Sequence, residues 1–256
     1  MIPKYDANYL LFPSSRLEDS IIFYFIERLQ FAFNRPIYVP GGVVIPNSDL
    51  PLMDWLLRET ERLHSRVRRY QSPDEYPFFP DVLEEPILKP LKYPDLLHPN
   101  DVNVNDVIKS RYVNEILPHA CMKHDRGEDP DEDRGEQQEN YGSAATCDVS
   151  CLQALSRRVH FGKFVAESKF LTDTDKFVKL IKANDRAGIE AAITDAAVEE
   201  AVLNRLRLKA KTYGTDPSKG SNGPSKVDAD GIADMYKVSV DSSYHFWFIA
   251  LSECYC

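Results

Sequence analysis

The chain has 256 residues, 43% hydrophobic and 11% aromatic, enough to bury a sizeable core in one large domain or two small ones. Its formal net charge is -9, and its 31 lysines and arginines are scattered rather than gathered into a stripe, which removes the footprint of a nucleic-acid binder and leaves a small molecule or a protein as partner. No basic-then-apolar leader opens the chain and no stretch approaches the roughly 18 apolar residues of a bilayer span, so a cytoplasmic location is expected.

The first sixteen residues divide at Pro13. Ser15-Arg-Leu-Glu18 has the spacing of a capping box, which predicts a helix from Arg16 with Leu17, Ile21, Ile22, Phe25, Ile26 and Leu29 as its apolar stripe. A second helix is expected from Pro51 to Tyr70, with Leu52, Leu56, Leu63 and Val67 inward, Arg58, Glu59, Glu61 and Arg62 outward, and Ser72-Pro73 as its stop. Seven prolines between Pro73 and Pro99 forbid regular helix or central strand, yet Tyr76, Phe78, Phe79, Ile87, Leu88 and Tyr93 are too apolar for a disordered linker. That segment should run extended and packed on the helices.

Asn105 to Ala120 reads as a third helix through Val107, Ile108, Tyr112, Val113 and Ile116, and the acidic run 123–139 as a solvated loop. From Gly142 to Phe170 there is no proline and one internal glycine, so a single helix about 42 Å long is expected. Shorter helices follow over Thr174 to Ala183, Arg186 to Ile193 and Val198 to Lys211; with no period-2 segment and no internal repeat, the fold class is all-α. Five cysteines (Cys121, Cys147, Cys151, Cys254, Cys256) in no metal-ligand spacing read as reduced thiols, with Cys147 and Cys151 as buried apolar side chains on one helix face.

On the long helix, Arg158, Gly162, Val165 and Lys169 recur at i, i+4, i+7 and i+11, so two cations flank a low apolar floor on one face. An Arg fork and a Lys point charge so placed suit a ligand with two negative ends, although spacing alone favours an ordinary solvated helix face. Arg66, Arg68 and Arg69 close the second helix, and Gly142-Ser143 open the long one, where backbone N–H groups receive anions. No Gly-x-Ser-x-Gly, P-loop, HExxH or dinucleotide fingerprint is present, and the six histidines show no metal spacing, so neither a metal nor a nucleotide cofactor is expected.

Glu18-Asp-Ser-Ile-Ile-Phe, His64-Ser-Arg-Val-Arg-Arg-Tyr, Ser72-Pro-Asp-Glu-Tyr-Pro-Phe-Phe-Pro, Tyr141-Gly-Ser-Ala-Ala-Thr and Leu155-Ser-Arg-Arg-Val-His-Phe-Gly-Lys-Phe-Val-Ala-Glu-Ser-Lys-Phe closely resemble eukaryotic chorismate mutase of the fungal and plant type, over about Arg16 to Lys237. The resemblance implies one all-helical domain over residues 1–256, assembled as a homodimer. It also implies cofactor-free conversion of chorismate to prephenate by a [3,3]-sigmatropic rearrangement in phenylalanine and tyrosine biosynthesis. By similarity Arg158 holds a substrate carboxylate, Lys169 donates to the ether oxygen and Glu199 accepts from the ring hydroxyl; read without the family, Glu199 is a solvated carboxylate at a helix start. The resemblance further implies an effector site for tyrosine and tryptophan at the dimer interface, matched here by Arg68, Arg69, Asn140, Gly142, Ser143 and Thr146.

Two ends depart from the family. The family's N-terminal catalytic arginine falls at Leu11 here, and Arg16 cannot replace it, since five residues turn a helix by about 140° and the expected cap at Ser15 starts the helix too late to present position 11. The tail 238–256 lacks the family's threonine and glutamate or glutamine, and its apolar run His245 to Leu251 replaces an amphipathic helix. Two readings therefore stand at this stage: a working mutase, or a catalytically impaired homologue that keeps the dimer and the effector site. A helical scaffold for protein partners is a third.

Overall fold

The computed structural model describes residues 7–93, 97–98, 100–125, 138–193, 195–214, 229–233 and 236. The stretch 126–137 of the expected acidic loop and everything beyond Tyr236, including Cys254, Cys256 and the apolar run, lie outside the described residues, as does the side chain of Leu11. Among the described residues there is no strand, only one isolated bridge between Ile45 and Ser48. No helix in them is long and apolar enough to cross a membrane.

Helix α1 (Ala7–Arg28) begins nine residues before the expected start at Arg16, so it runs through Pro13 and carries backbone position 11 on the helix. Position 15 therefore lies inside the helix rather than at its start. Glu18 is buried and taken by cations of another helix, Arg205 and Lys209, so the carboxylate does not turn back to cap its own chain. Beyond that point the expected stripe holds, with Ile21, Ile22, Phe25 and Leu29 buried.

Helix α2 (Leu52–Arg66) is rotated from the expected face. Met53, Leu57, Glu61 and Ser65 are buried, whereas Leu63 is 61% exposed and Val67 also faces out. Glu61 draws the helix round: its carboxylate accepts the backbone N–H groups of Phe78 (2.7 Å) and Phe79 (2.8 Å), two donors that the proline-rich segment cannot satisfy within itself. Burial raises the Glu61 pKa while these N–H groups act to lower it. The proline-rich segment packs only in part, burying Phe78 and Val82 but leaving Ile87, Leu88 and Tyr93 exposed.

The third expected helix is continuous but irregular: α3 (Asn105–Arg111), a π-helical turn (Tyr112–Ile116) and α4 (Leu117–Asp125). The turn seats the Tyr112 hydroxyl 2.8 Å from Asp148 inside the core. Helix α5 (Tyr141–Thr172) is 32 residues, about 48 Å, slightly longer than expected, and α1 packs along it more extensively than any other pair of elements pack. Helices α6 (Thr174–Lys182) and α7 (Arg186–Ile193) follow as expected. Helix α8 (Ala196–Gly214) starts two residues early because the Asp195 carboxylate caps it, accepting from Ala197 N (3.1 Å) and Val198 N (3.2 Å).

The main core joins α1, α2, α3, α4, α5 and α8 with Ala229, Ile232 and Tyr236. A separate small core of Ala166, Phe170, Phe177, Ile181, Ile189 and Ile193 seats α6 and α7 on the C-terminal end of α5. One buried ion pair pins α1 to α5: Arg28 Nε donates to Asp148 Oδ1 at 2.6 Å, and Tyr38 donates to Asp148 Oδ2 at 2.6 Å. The remaining guanidinium donors of Arg28 go to the Phe31 and Phe33 carbonyls and to Tyr38. Burial works against the charge on Arg28, but the Asp148 carboxylate together with Tyr38, Cys121 and Tyr112 outweighs it and raises its pKa. Cys121 and Cys151 are buried and Cys147 half-buried.

Candidate active site

Arg158, Gly162, Val165 and Lys169 fall within about 60° of arc on α5 and span about 16 Å along it. Arg158 is only 5% exposed, so its charge is placed at cost and held by its surroundings. Its guanidinium carbon lies 5.4 Å from the centre of the Tyr236 ring. Next to it, Arg205 of α8 donates from Nε (3.0 Å) and Nη2 (2.7 Å) to Glu18 of α1, a bidentate pair. Lys209, one turn on, reaches Glu18 at 3.6 Å and Asp19 at 2.7 Å. Hydrogen bonding to Glu18 is the largest influence on Arg205 and raises its pKa, while the nearby charge of Arg158 acts to lower it.

Lys169 lies about three turns further along α5, half-buried, where its ammonium donates to the backbone carbonyl of Ile193 at the end of α7. Glu199 sits half-buried in the first turn of α8, its N–H bonded to the Asp195 carbonyl at 2.9 Å. The α7–α8 junction thus brings Lys169 and the head of the helix that carries Glu199 to one place. Three helices and Tyr236 converge on this face with cations from α5 and α8, which suits a ligand of more than one negative charge.

Sequence spacing found Arg158 and Lys169 but missed Glu18, Arg205, Lys209 and Tyr236. Arg205 and Lys209, four apart on α8, carried a readable signal; their convergence on Glu18 joins positions almost two hundred residues apart and left none. Arg16, considered above as a substitute for the missing arginine, is exposed on α1.

The opposite face of α5 is gripped by residues 72–76. Asp74 accepts from Arg157 Nε (2.8 Å), Lys163 donates to the Tyr76 hydroxyl (2.6 Å), and the Tyr76 ring stacks on His160 with centroids 4.2 Å apart. Burial lowers the Lys163 pKa to about 8 and that of His160 to about 4. His160 is therefore neutral at physiological pH, its Nδ1–H donating to the Ser156 carbonyl (2.8 Å) and its Nε2 accepting from Val104 N (3.4 Å).

The second group of residues is not gathered in one chain. Arg68 closes α2 in a left-handed conformation (φ 72) and donates to the Lys89 carbonyl. Arg69 donates to Glu75 (3.0 Å) and Gln153 (2.8 Å) and lies 2.9 Å from His64 Nδ1, a ring whose pKa is lowered by burial and by the charge of Arg69. Gln153 stands eleven residues into α5 from Gly142, about 16 Å. Asn140, Gly142, Ser143 and Thr146 surround the α5 N-terminus, with the Thr146 hydroxyl on the Gly142 carbonyl (2.8 Å) and open space around Gly142. Within this chain Arg69 therefore meets α5 well away from the helix N-terminus. Among the described residues no group of three or more His, Cys, Asp or Glu is placed to hold a metal ion.

A family model described as chorismate mutase type II matches residues 140–245. The chorismate mutase of Emericella nidulans is 65% identical over 232 residues, covering 91% of this chain and 85% of the relative. The crystal structure of Aro7p chorismate mutase from Candida albicans in complex with L-Trp superposes with a TM-score of 0.86 at 42% identity, over 97% of this chain and 92% of that one. The structure of AtCM1 with tyrosine bound in its allosteric site superposes with a TM-score of 0.83 at 32% identity, over 99% and 98% of the two chains. The reading as a catalytically impaired homologue finds no support in these matches.

Proposed function

This chain belongs to the chorismate mutase family and converts chorismate to prephenate, and from that premise we propose that the reaction runs on the α5 face bearing Arg158 and Lys169, closed by α1, α8 and Tyr236. The observation that carries this placement is the buried Arg158 guanidinium set against the Tyr236 ring, on the side of α5 where Arg205 and Lys209 of α8 meet Glu18 of α1.

The chemistry explains the residue set. In a [3,3]-sigmatropic shift one C–O bond breaks as one C–C bond forms within a single molecule, so no nucleophile, proton or electron has to be supplied. What limits the rate is holding a flexible dianion in its compact conformer and stabilising negative charge on the departing ether oxygen. Arg158 takes a substrate carboxylate with a planar fork of donors. Lys169 places an ammonium at the ether oxygen, where charge grows only in the transition state, so its contribution falls on kcat. Glu199 accepts from the ring hydroxyl and fixes the ring end of the substrate.

Aromatic amino acids act as effectors in this reading. The two solved relatives carry tryptophan and, in an allosteric site, tyrosine. An amino acid's carboxylate suits the α5 N-terminus at Gly142 and Ser143, with Asn140 and Thr146 at its side, and Arg68 and Arg69 suit its other end. Because Arg69 meets α5 well away from that N-terminus, the site is assembled across a homodimer, and the exposed apolar side chains beside Arg68, namely Leu63, Val67, Ile87 and Leu88, provide a face for the second copy. Purified protein tests the reading through the loss of chorismate absorbance with and without tyrosine. Saturable turnover modulated by tyrosine is expected, and turnover at the uncatalysed rate overturns it.

A further inference from the structure

We infer that the small core between α6, α7 and the end of α5 is the positioning device for Lys169, with Ile193 as the residue through which it acts; this rests on the role proposed above for Lys169. The six residues of this core are separate from the main core, and α6 and α7 pack chiefly on each other and, through α6, on α5. Phe170 follows Lys169 on α5 and is 1% exposed, which fixes the backbone that carries the lysine. Ile193 is buried in the same core, and its carbonyl accepts the Lys169 ammonium.

The arrangement answers a specific problem. A lysine that must donate to a weakly basic ether oxygen cannot be tied to a carboxylate, which would compete for the same charge, yet a four-carbon side chain left loose loses much of its effect to rotamer freedom. A neutral backbone carbonyl orients the ammonium through one of its three N–H bonds and leaves its charge uncompensated. A carbonyl is only as well placed as the residue carrying it. Here that residue is packed in one apolar cluster with Phe177, Ile181 and Ile189, apart from the main core, so positional precision is imported from α6 and α7.

A double-mutant cycle tests this. Ile193→Ala opens the core under the carbonyl, and Ile193→Val retains most of its volume. In the wild-type background Ile193→Ala is expected to lower kcat and kcat/KM together by about tenfold to a hundredfold at unchanged KM, with Ile193→Val recovering most of the loss. In a Lys169→Gln background the same substitution is expected to cost nothing further. An equal loss in both backgrounds overturns the inference and leaves an ordinary packing residue. Full activity in Lys169→Gln alone overturns instead the catalytic role proposed for the lysine, so the two failures are distinguishable. Should Ile193→Ala not fold, as judged by thermal melting, Phe177→Leu loosens the same core through a residue that makes no bond to Lys169, and the cycle is read in the same way.

Discussion

Replacing Asp148 with alanine removes the carboxylate that pairs with Arg28, whose side chain is wholly excluded from water. The substitution strands a guanidinium in the core and deprives the Tyr38 and Tyr112 hydroxyls of their acceptor. Breaking a buried pair by removing one partner costs about 3–5 kcal/mol, a large part of the roughly 5–15 kcal/mol that holds a domain folded. For a chain of this size each kcal/mol moves the melting temperature by about 2–4 °C, so a fall of roughly 6–20 °C is expected by calorimetry. Removing both charges in Arg28→Met/Asp148→Ala should recover much of that loss, because well-packed apolar replacements of a buried pair are often neutral. The pair links α1 to α5, so activity at low temperature should fall less than stability. An unchanged melting temperature for Asp148→Ala refutes the reasoning, since it means that the charge is already compensated elsewhere.

His160 gives a pH signature. Its folded pKa near 4 lies below its ordinary value of 6.5, so the unfolded chain binds the extra proton first and stability falls as the pH drops from about 6.5 to 4. Melting curves of His160→Gln should be flatter than wild type across that window, and parallel curves count against the neutral, doubly bonded ring. Glu61→Gln leaves one of the Phe78 and Phe79 N–H groups without an acceptor and should lower stability by about 1–3 kcal/mol in urea unfolding, whereas no change would mean that these bonds do not hold the proline-rich segment. Arg68→Ala should keep basal turnover and lose tyrosine inhibition; full inhibition in that variant removes Arg68 from the effector site.

The helices were legible because they rest on local signals. The long proline-free run gave α5 to within two residues at each end, and α7 matched at both ends. What failed was decided by partners far off in sequence. Ser15-x-x-Glu18 is a sound local cap, but Glu18 gains more from Arg205 and Lys209 across the pocket, and α1 accordingly begins at Ala7. Glu61 read as an outward charge until two backbone donors of a proline-rich strap turned it inward. Half of the candidate site was readable for the same reason: Arg158 and Lys169 share one helix face, whereas Glu18, Arg205 and Tyr236 reach that face from three separate parts of the chain.

The central claim is that Arg158, buried on α5, binds a substrate carboxylate where the rearrangement occurs. The direct measurement is kcat/KM for chorismate in Arg158→Ala beside wild type, with melting temperature recorded for both. Loss of a preorganised donor of this kind predicts a fall of roughly 10²- to 10³-fold with the fold retained. Wild-type kcat/KM in the variant would contradict the account and move the reaction off this face of the helix.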